Sequence, residues 1–188
     1  VLRRALRPTV VATETLLAID TLVRLVQAEP NADLRELLLP AVERLLAKRE
    51  APYRARLWRA VALLEPDQIS RLVRTFGARA RPDSTRIALD EELSAFASAA
   101  GMCPTEQAQA ELEPLLRSPS ARVRLAAVQS VSPQLEGLSG LLVDLLEDPV
   151  VEVARQAAHA LSRNSGASAS SALERIRTGG DPRSLLPR

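Results

Sequence analysis

Leu142-Val-Asp-Leu-Leu-Glu-Asp-Pro-Val-Val-Glu-Val-Ala-Arg-Gln-Ala-Ala-His-Ala-Leu161 reads as two short helices meeting at a proline, and the chain has already used the same pattern 30 residues earlier. That earlier copy is Leu112-Glu-Pro-Leu-Leu-Arg-Ser-Pro-Ser-Ala-Arg-Val-Arg-Leu-Ala-Ala-Val-Gln-Ser-Val131. Leu116 pairs with Leu146, Pro119 with Pro149, Val123 with Val153, Ala127 with Ala157 and Val131 with Leu161. Self-similarity at a fixed period of this length is the sequence signature of stacked repeats. A weaker third copy ends in Ala51-Pro-Tyr-Arg-Ala-Arg-Leu-Trp-Arg-Ala-Val-Ala-Leu-Leu64, where Pro52, Ala60, Val61 and Leu64 align without a gap.

Outward from these copies the apolar spacing is helical nearly everywhere. It predicts helices over Thr13–Ala28, Asp33–Lys48, Tyr53–Leu64, Asp67–Phe76, Ser84–Ala99, Thr105–Arg117, Ala121–Val131, Leu138–Glu147, Val150–Arg163 and Ser168–Arg177. No alternating run of β-branched and aromatic residues points to a strand. Pro30, Pro52, Pro66, Pro82, Pro104, Pro119 and Pro149 fall at or near helix starts, where a missing N–H costs little. Pro40 and Pro114 sit inside apolar periodic runs and are expected to kink or shorten their helices.

An apolar helix, a short Asp-Pro turn and a second helix opening on Val-Arg and continuing through small residues resembles the HEAT repeat, of the armadillo-like helical-repeat family. Leu145-Leu146-Glu147-Asp148-Pro149 followed by Val153 and Ala157-Ala158 carries the likeness, as does Ser118-Pro119 followed by Val123-Arg124 and Ala126-Ala127. The family's Arg after Val is kept as Arg124 but is Ala154 in the later copy, so a regular Asp–Arg ladder is not expected. The resemblance implies an all-α fold: an α-α superhelix, or HEAT-like solenoid, of about four helical hairpins in which neighbours complete each other's cores. Residues 1–188 are expected to form a single repeat domain cut from a larger protein. Its best repeats are 105–131 and 138–163, the weaker ones 33–64 and 67–99, and 168–177 is a terminal helix.

Composition fits thin layers of closely packed helices. Trp58, Tyr53, Phe76 and Phe96 are the whole aromatic inventory, so Leu, Val and Ala must fill the core. No run is long and apolar enough to span a bilayer. The single Cys103 excludes an internal disulfide and a thiolate metal cage and fits a reducing, cytoplasmic compartment. There is no Gly-x-x-x-x-Gly-Lys-Ser/Thr loop, no His-Glu-x-x-His, no Gly-x-Ser-x-Gly elbow and no paired-Cys zinc spacing. We therefore expect no enzyme, no catalytic residue, no metal and no cofactor.

Two surfaces remain as candidates. One is a ridge on the second helices, which line the concave side of HEAT-like stacks: Trp58, Arg59, Leu125, Gln129, Arg155, His159 and Arg163. Arg155, His159 and Arg163 form an i, i+4, i+8 row that is either a solvated polar face or a contact ridge. Alignment with Arg155 puts Trp58 and Leu125 at a position expected to be exposed, where large apolar side chains anchor protein interfaces. The other reading is that the N-terminal copy is out of register by one residue and Trp58 is core. The second surface is the stretch Arg44–Arg86, with eleven basic residues against four acidic ones, in which Arg54, Arg56, Arg71, Arg74, Arg79 and Arg81 are prominent. It could meet an acidic protein, stand solvated, or track nucleic-acid phosphates. The expected function is a protein–protein scaffold or adaptor using the concave ridge. The alternatives are nucleic-acid binding through residues 44–86, or a HEAT-like enzyme such as a bilin lyase or DNA glycosylase.

Overall fold

The computed structural model describes residues 12–28, 32–47, 53–77 and 86–163, which hold nine α-helices and no strand. They are α1 (Ala12–Ala28), α2 (Ala32–Leu46), α3 (Arg54–Val61), α4 (Pro66–Phe76), α5 (Arg86–Ala100), α6 (Thr105–Leu116), α7 (Ala121–Gln129), α8 (Ser139–Asp144) and α9 (Val151–Ser162). Except over Leu138–Glu147, the helices fall where the apolar spacing puts them. The helix expected over 168–177, together with Arg79 and Arg81, lies outside the described residues.

Local chemistry sets the ends. Pro66 opens α4 at its first position, and the Glu65 N–H donates to Gln68 Oε1 at 3.4 Å. Pro40 and Pro114 are absorbed: α2 continues past Pro40 to Leu46, and Pro114 lies in the last turn of α6. One expectation is corrected. Leu138–Glu147 is not a single helix, because α8 is a six-residue α segment with 3-10 turns at Glu136–Leu138 and Leu145–Glu147 on either side. Gly137 and Gly140 weaken the helical start, and Pro149 stops continuation at the other end.

The helices pack in two rows. In one, α3 lies against α5, α5 against α7, and α7 against α9. In the other, α4 packs on α5, α6 on α5 and α7, and α8 on α9, while α1 and α2 lead into α3 and α4. One apolar cluster runs through both rows from Ala18 on α1 to Leu161 on α9. Burying each of its Leu and Val side chains contributes about 1.5–3 kcal/mol. Alanines at the row contacts, among them Ala97, Ala127 and Ala157, let α5, α7 and α9 approach closely.

Candidate partner-binding face

Burial gives the register of the α3–α5–α7–α9 row. Leu57, Glu92, Val123 and Val153 occupy one inward position and are all buried. Val61, Phe96, Ala127 and Ala157 occupy the next, one turn further along, and are buried too. The outward positions then fall into three tiers. The first holds Arg56, Glu91, Arg122 and Glu152; the second holds Arg59, Ser94, Leu125 and Arg155; the third holds Ser98, Gln129 and His159.

This register corrects the alignment made from sequence. On α3 the exposed side chain is Arg59, not Trp58, so Arg59 is the one that stands outward as Arg155 does on α9. Trp58 is 0% exposed and meets Phe96 of α5 edge-on, with ring centroids 4.9 Å apart at 75°. It is a core residue and anchors no partner. Leu125 is half-buried against the core with its outer edge reaching solvent, whereas Arg59, Gln129, Arg155, His159 and Arg163 are exposed.

The tiers differ in charge. The first alternates in sign along the row and is largely self-neutralised. Arg122 donates to Glu91 across α5–α7 at 3.4 Å, Arg56 to Asp20 of α1 at 3.2 Å, and Glu152 accepts from Arg155 one turn away at 2.5 Å. That last contact holds the Glu152 carboxyl below its ordinary range and raises the Arg155 guanidinium. In the second tier Arg59 has no ion-pair partner among the described residues, and Ser94 turns its hydroxyl onto the Asp90 carbonyl at 2.6 Å. Arg163, at the end of α9, donates to the Val131 carbonyl at 3.3 Å.

Polar ties between repeats hold this face in place. Arg54 joins four helices. Its Nε donates to Glu92 Oε1 on α5 at 2.5 Å, and its terminal nitrogens donate to the last carbonyls of α2 (Leu46, 2.6 Å) and α4 (Phe76, 3.1 Å). Both partners of this ion pair are buried. Arg54 is therefore no part of a basic surface, which corrects the second expectation from sequence. Further along, Ser120 donates to Asp90 at 2.6 Å between α7 and α5. Arg124 forks onto both oxygens of Asp148, at 2.7 and 2.9 Å, just ahead of α9. Asp148 also accepts from the Val150 N–H at 2.8 Å. Burial alone would raise the Asp148 carboxyl, but the Arg124 and Val150 bonds and the Arg124 charge outweigh it, so it titrates low.

Other described arginines of the Arg44–Arg86 stretch lie apart. Arg71 pairs with Glu43 at 3.2 Å, and Arg74 is exposed on α4, in the other row from Arg56 and Arg59. Nothing in the sequence singled out Glu91, Ser94, Ser98 or Arg122. Their signal was the three- and four-residue spacing of polar positions along α5 and α7, readable only once the row register is known.

Among the described residues no three His, Cys, Asp or Glu side chains gather as a metal site, and no helix is long and apolar enough to cross a membrane. Burial first, then the Glu111 carboxylate, pushes the Cys103 thiol up to about 11 against a smaller opposing effect of Arg74, so it is protonated at neutral pH.

Solved structures similar to the chain include a designed armadillo repeat protein in complex with the peptide (KR)4. It matches at a TM-score of 0.60 and 18% identity, over 97% of this chain and 93% of that one. A second designed armadillo repeat protein matches at 0.59 and 18% over the same shares. The fold is thus an armadillo-like helical repeat, an α-α solenoid. No protein-family model and no curated protein matches the chain.

Proposed function

We propose that the chain is a protein-interaction scaffold that receives an extended segment of another protein along the α3–α5–α7–α9 row. The observation that carries this reading is the continuity of the exposed tiers across four helices tied into one stack by the Arg54–Glu92, Ser120–Asp90 and Arg124–Asp148 contacts. A rigid surface loses little freedom on binding, and arginine is among the residue types that carry most interface energy. A designed armadillo neighbour that holds a peptide supports the same use of the fold. Nucleic-acid binding through residues 44–86 is the weaker reading, since Arg54 is buried and Arg71 and Arg74 lie on α4, in the other row from Arg56 and Arg59.

The test is selection of binders from a random peptide library, followed by measurement of their affinity for the Arg155→Glu/Arg163→Glu variant. The selected peptides should lose affinity while the melting temperature holds. Unchanged affinity in that variant would remove the row as the binding face.

A further inference from the structure

The second tier also specifies what kind of segment it takes. Among the described residues Arg59 on α3 has no ion-pair partner; Leu125 lies two helices along on α7, and Arg155 lies one helix further on α9. Ser94, between Arg59 and Leu125, is short and bonded to its own helix, so it leaves space above α5. Arginine donates through a planar fork and accepts nothing, so the two ends of this tier match acceptors, carboxylates above all. The middle offers a small apolar contact.

From this tier we infer that the row recognises an acidic, extended peptide carrying two carboxylates that flank one apolar side chain. This rests on the row being the docking face. Packed helices stand about 9 Å apart and an extended chain advances about 3.3 Å per residue. Leu125 is two helix steps from Arg59, which corresponds to about five or six residues, and Arg155 is three steps away, about eight residues. The fitting segment has an acid at its first position, a Leu-sized side chain at about its sixth or seventh and a second acid at about its ninth. Arg155 must exchange Glu152 for the incoming carboxylate. An exposed pair of this kind contributes at most about 1 kcal/mol in proteins generally, so the exchange is easily made.

The experiment uses the full chain and a labelled nine-residue peptide with glutamate at both ends, leucine at the sixth position and serine and threonine elsewhere, in both chain directions. Fluorescence anisotropy compares it with a lysine-ended peptide, a (KR)4 peptide, a scramble with adjacent glutamates, and a labelled random-sequence DNA duplex. The glutamate-ended peptide should bind at least about tenfold more tightly than the lysine-ended one and the scramble. Arg59→Gln and Arg155→Gln should each weaken it about threefold or more and leave the lysine-ended peptide unaffected. Equal or tighter binding of the lysine-ended peptide, the scramble or the duplex overturns the inference. If library-selected peptides are lost in Arg155→Glu/Arg163→Glu yet show no acidic preference, only the ligand class is wrong. If no peptide responds to any variant of the row, the docking face itself is wrong.

Discussion

Replacing Arg54 should disturb this protein more than its surface-residue chemistry suggests. Arg54→Met removes the guanidinium paired with Glu92, which is itself 7% exposed, and takes donors away from the final carbonyls of α2 and α4. Breaking one side of a buried ion pair costs about 3–5 kcal/mol, because the surviving charge stays in a poor solvent. The two carbonyls add about 1 kcal/mol each where water does not replace the lost donor. A loss of about 5–7 kcal/mol is a large part of the 5–15 kcal/mol typical of a folded domain. Glu92→Leu alone should also destabilise, since it strands the guanidinium. The double variant Arg54→Met/Glu92→Leu should be more stable than Arg54→Met, because Glu92 occupies the position held by Leu57, Val123 and Val153 in the neighbouring helices and a leucine there joins the core. Urea unfolding followed by far-ultraviolet circular dichroism measures all three. With a slope of about 2 kcal/mol per molar urea, Arg54→Met should move the midpoint down by about 3 M. A single-variant loss below about 1 kcal/mol, or losses that simply add in the double variant, would refute the reasoning.

Three further outcomes follow from the same contacts. Trp58→Ala should cost about 3–5 kcal/mol by urea unfolding, and the native indole should emit at short wavelength as a buried ring does. Asp148 titrates low in the fold, so its contribution to stability is complete above the ordinary aspartate pKa and is lost as pH falls through its depressed native value. Melting curves from neutral to strongly acid pH should therefore show the gap between the parent and Asp148→Asn closing at the acid end. The Cys103 thiol, pushed up to about 11, should react slowly with iodoacetamide at pH 8 and much faster in denaturing urea.

Much of the fold was legible because two properties survive without tertiary information: the helical spacing of Leu and Val, and the offset that pairs Val123 with Val153 and Ala127 with Ala157. Register in the weak N-terminal copy was not. Ala60, Val61 and Leu64 align with the later repeats in a run so rich in Ala and Leu that a one-residue slip changes little in the match, yet it decides whether Trp58 or Arg59 faces outward. What settles it is the ring of Phe96 on α5, more than thirty residues away in sequence. Arg54 was misread for a related reason, since arginines are seldom buried unless paired and its partner lies on another helix. Part of that signal was in the sequence: Glu92 sits in the apolar stripe of Leu89, Leu93 and Phe96, where a carboxylate needs a cation. On α7 and α9, Gln129, Arg155, His159 and Arg163 are exposed and Leu125 is half-covered.

The chain carries one histidine, His159 on the third tier, and one tryptophan, Trp58 in the core, so a proton NMR titration with a library-selected peptide reports on both sites at once. If the row is the docking face, the His159 imidazole signals move in step with binding while the Trp58 indole signal stays in place. Binding that leaves His159 unmoved, or that shifts Trp58 alone, would contradict it.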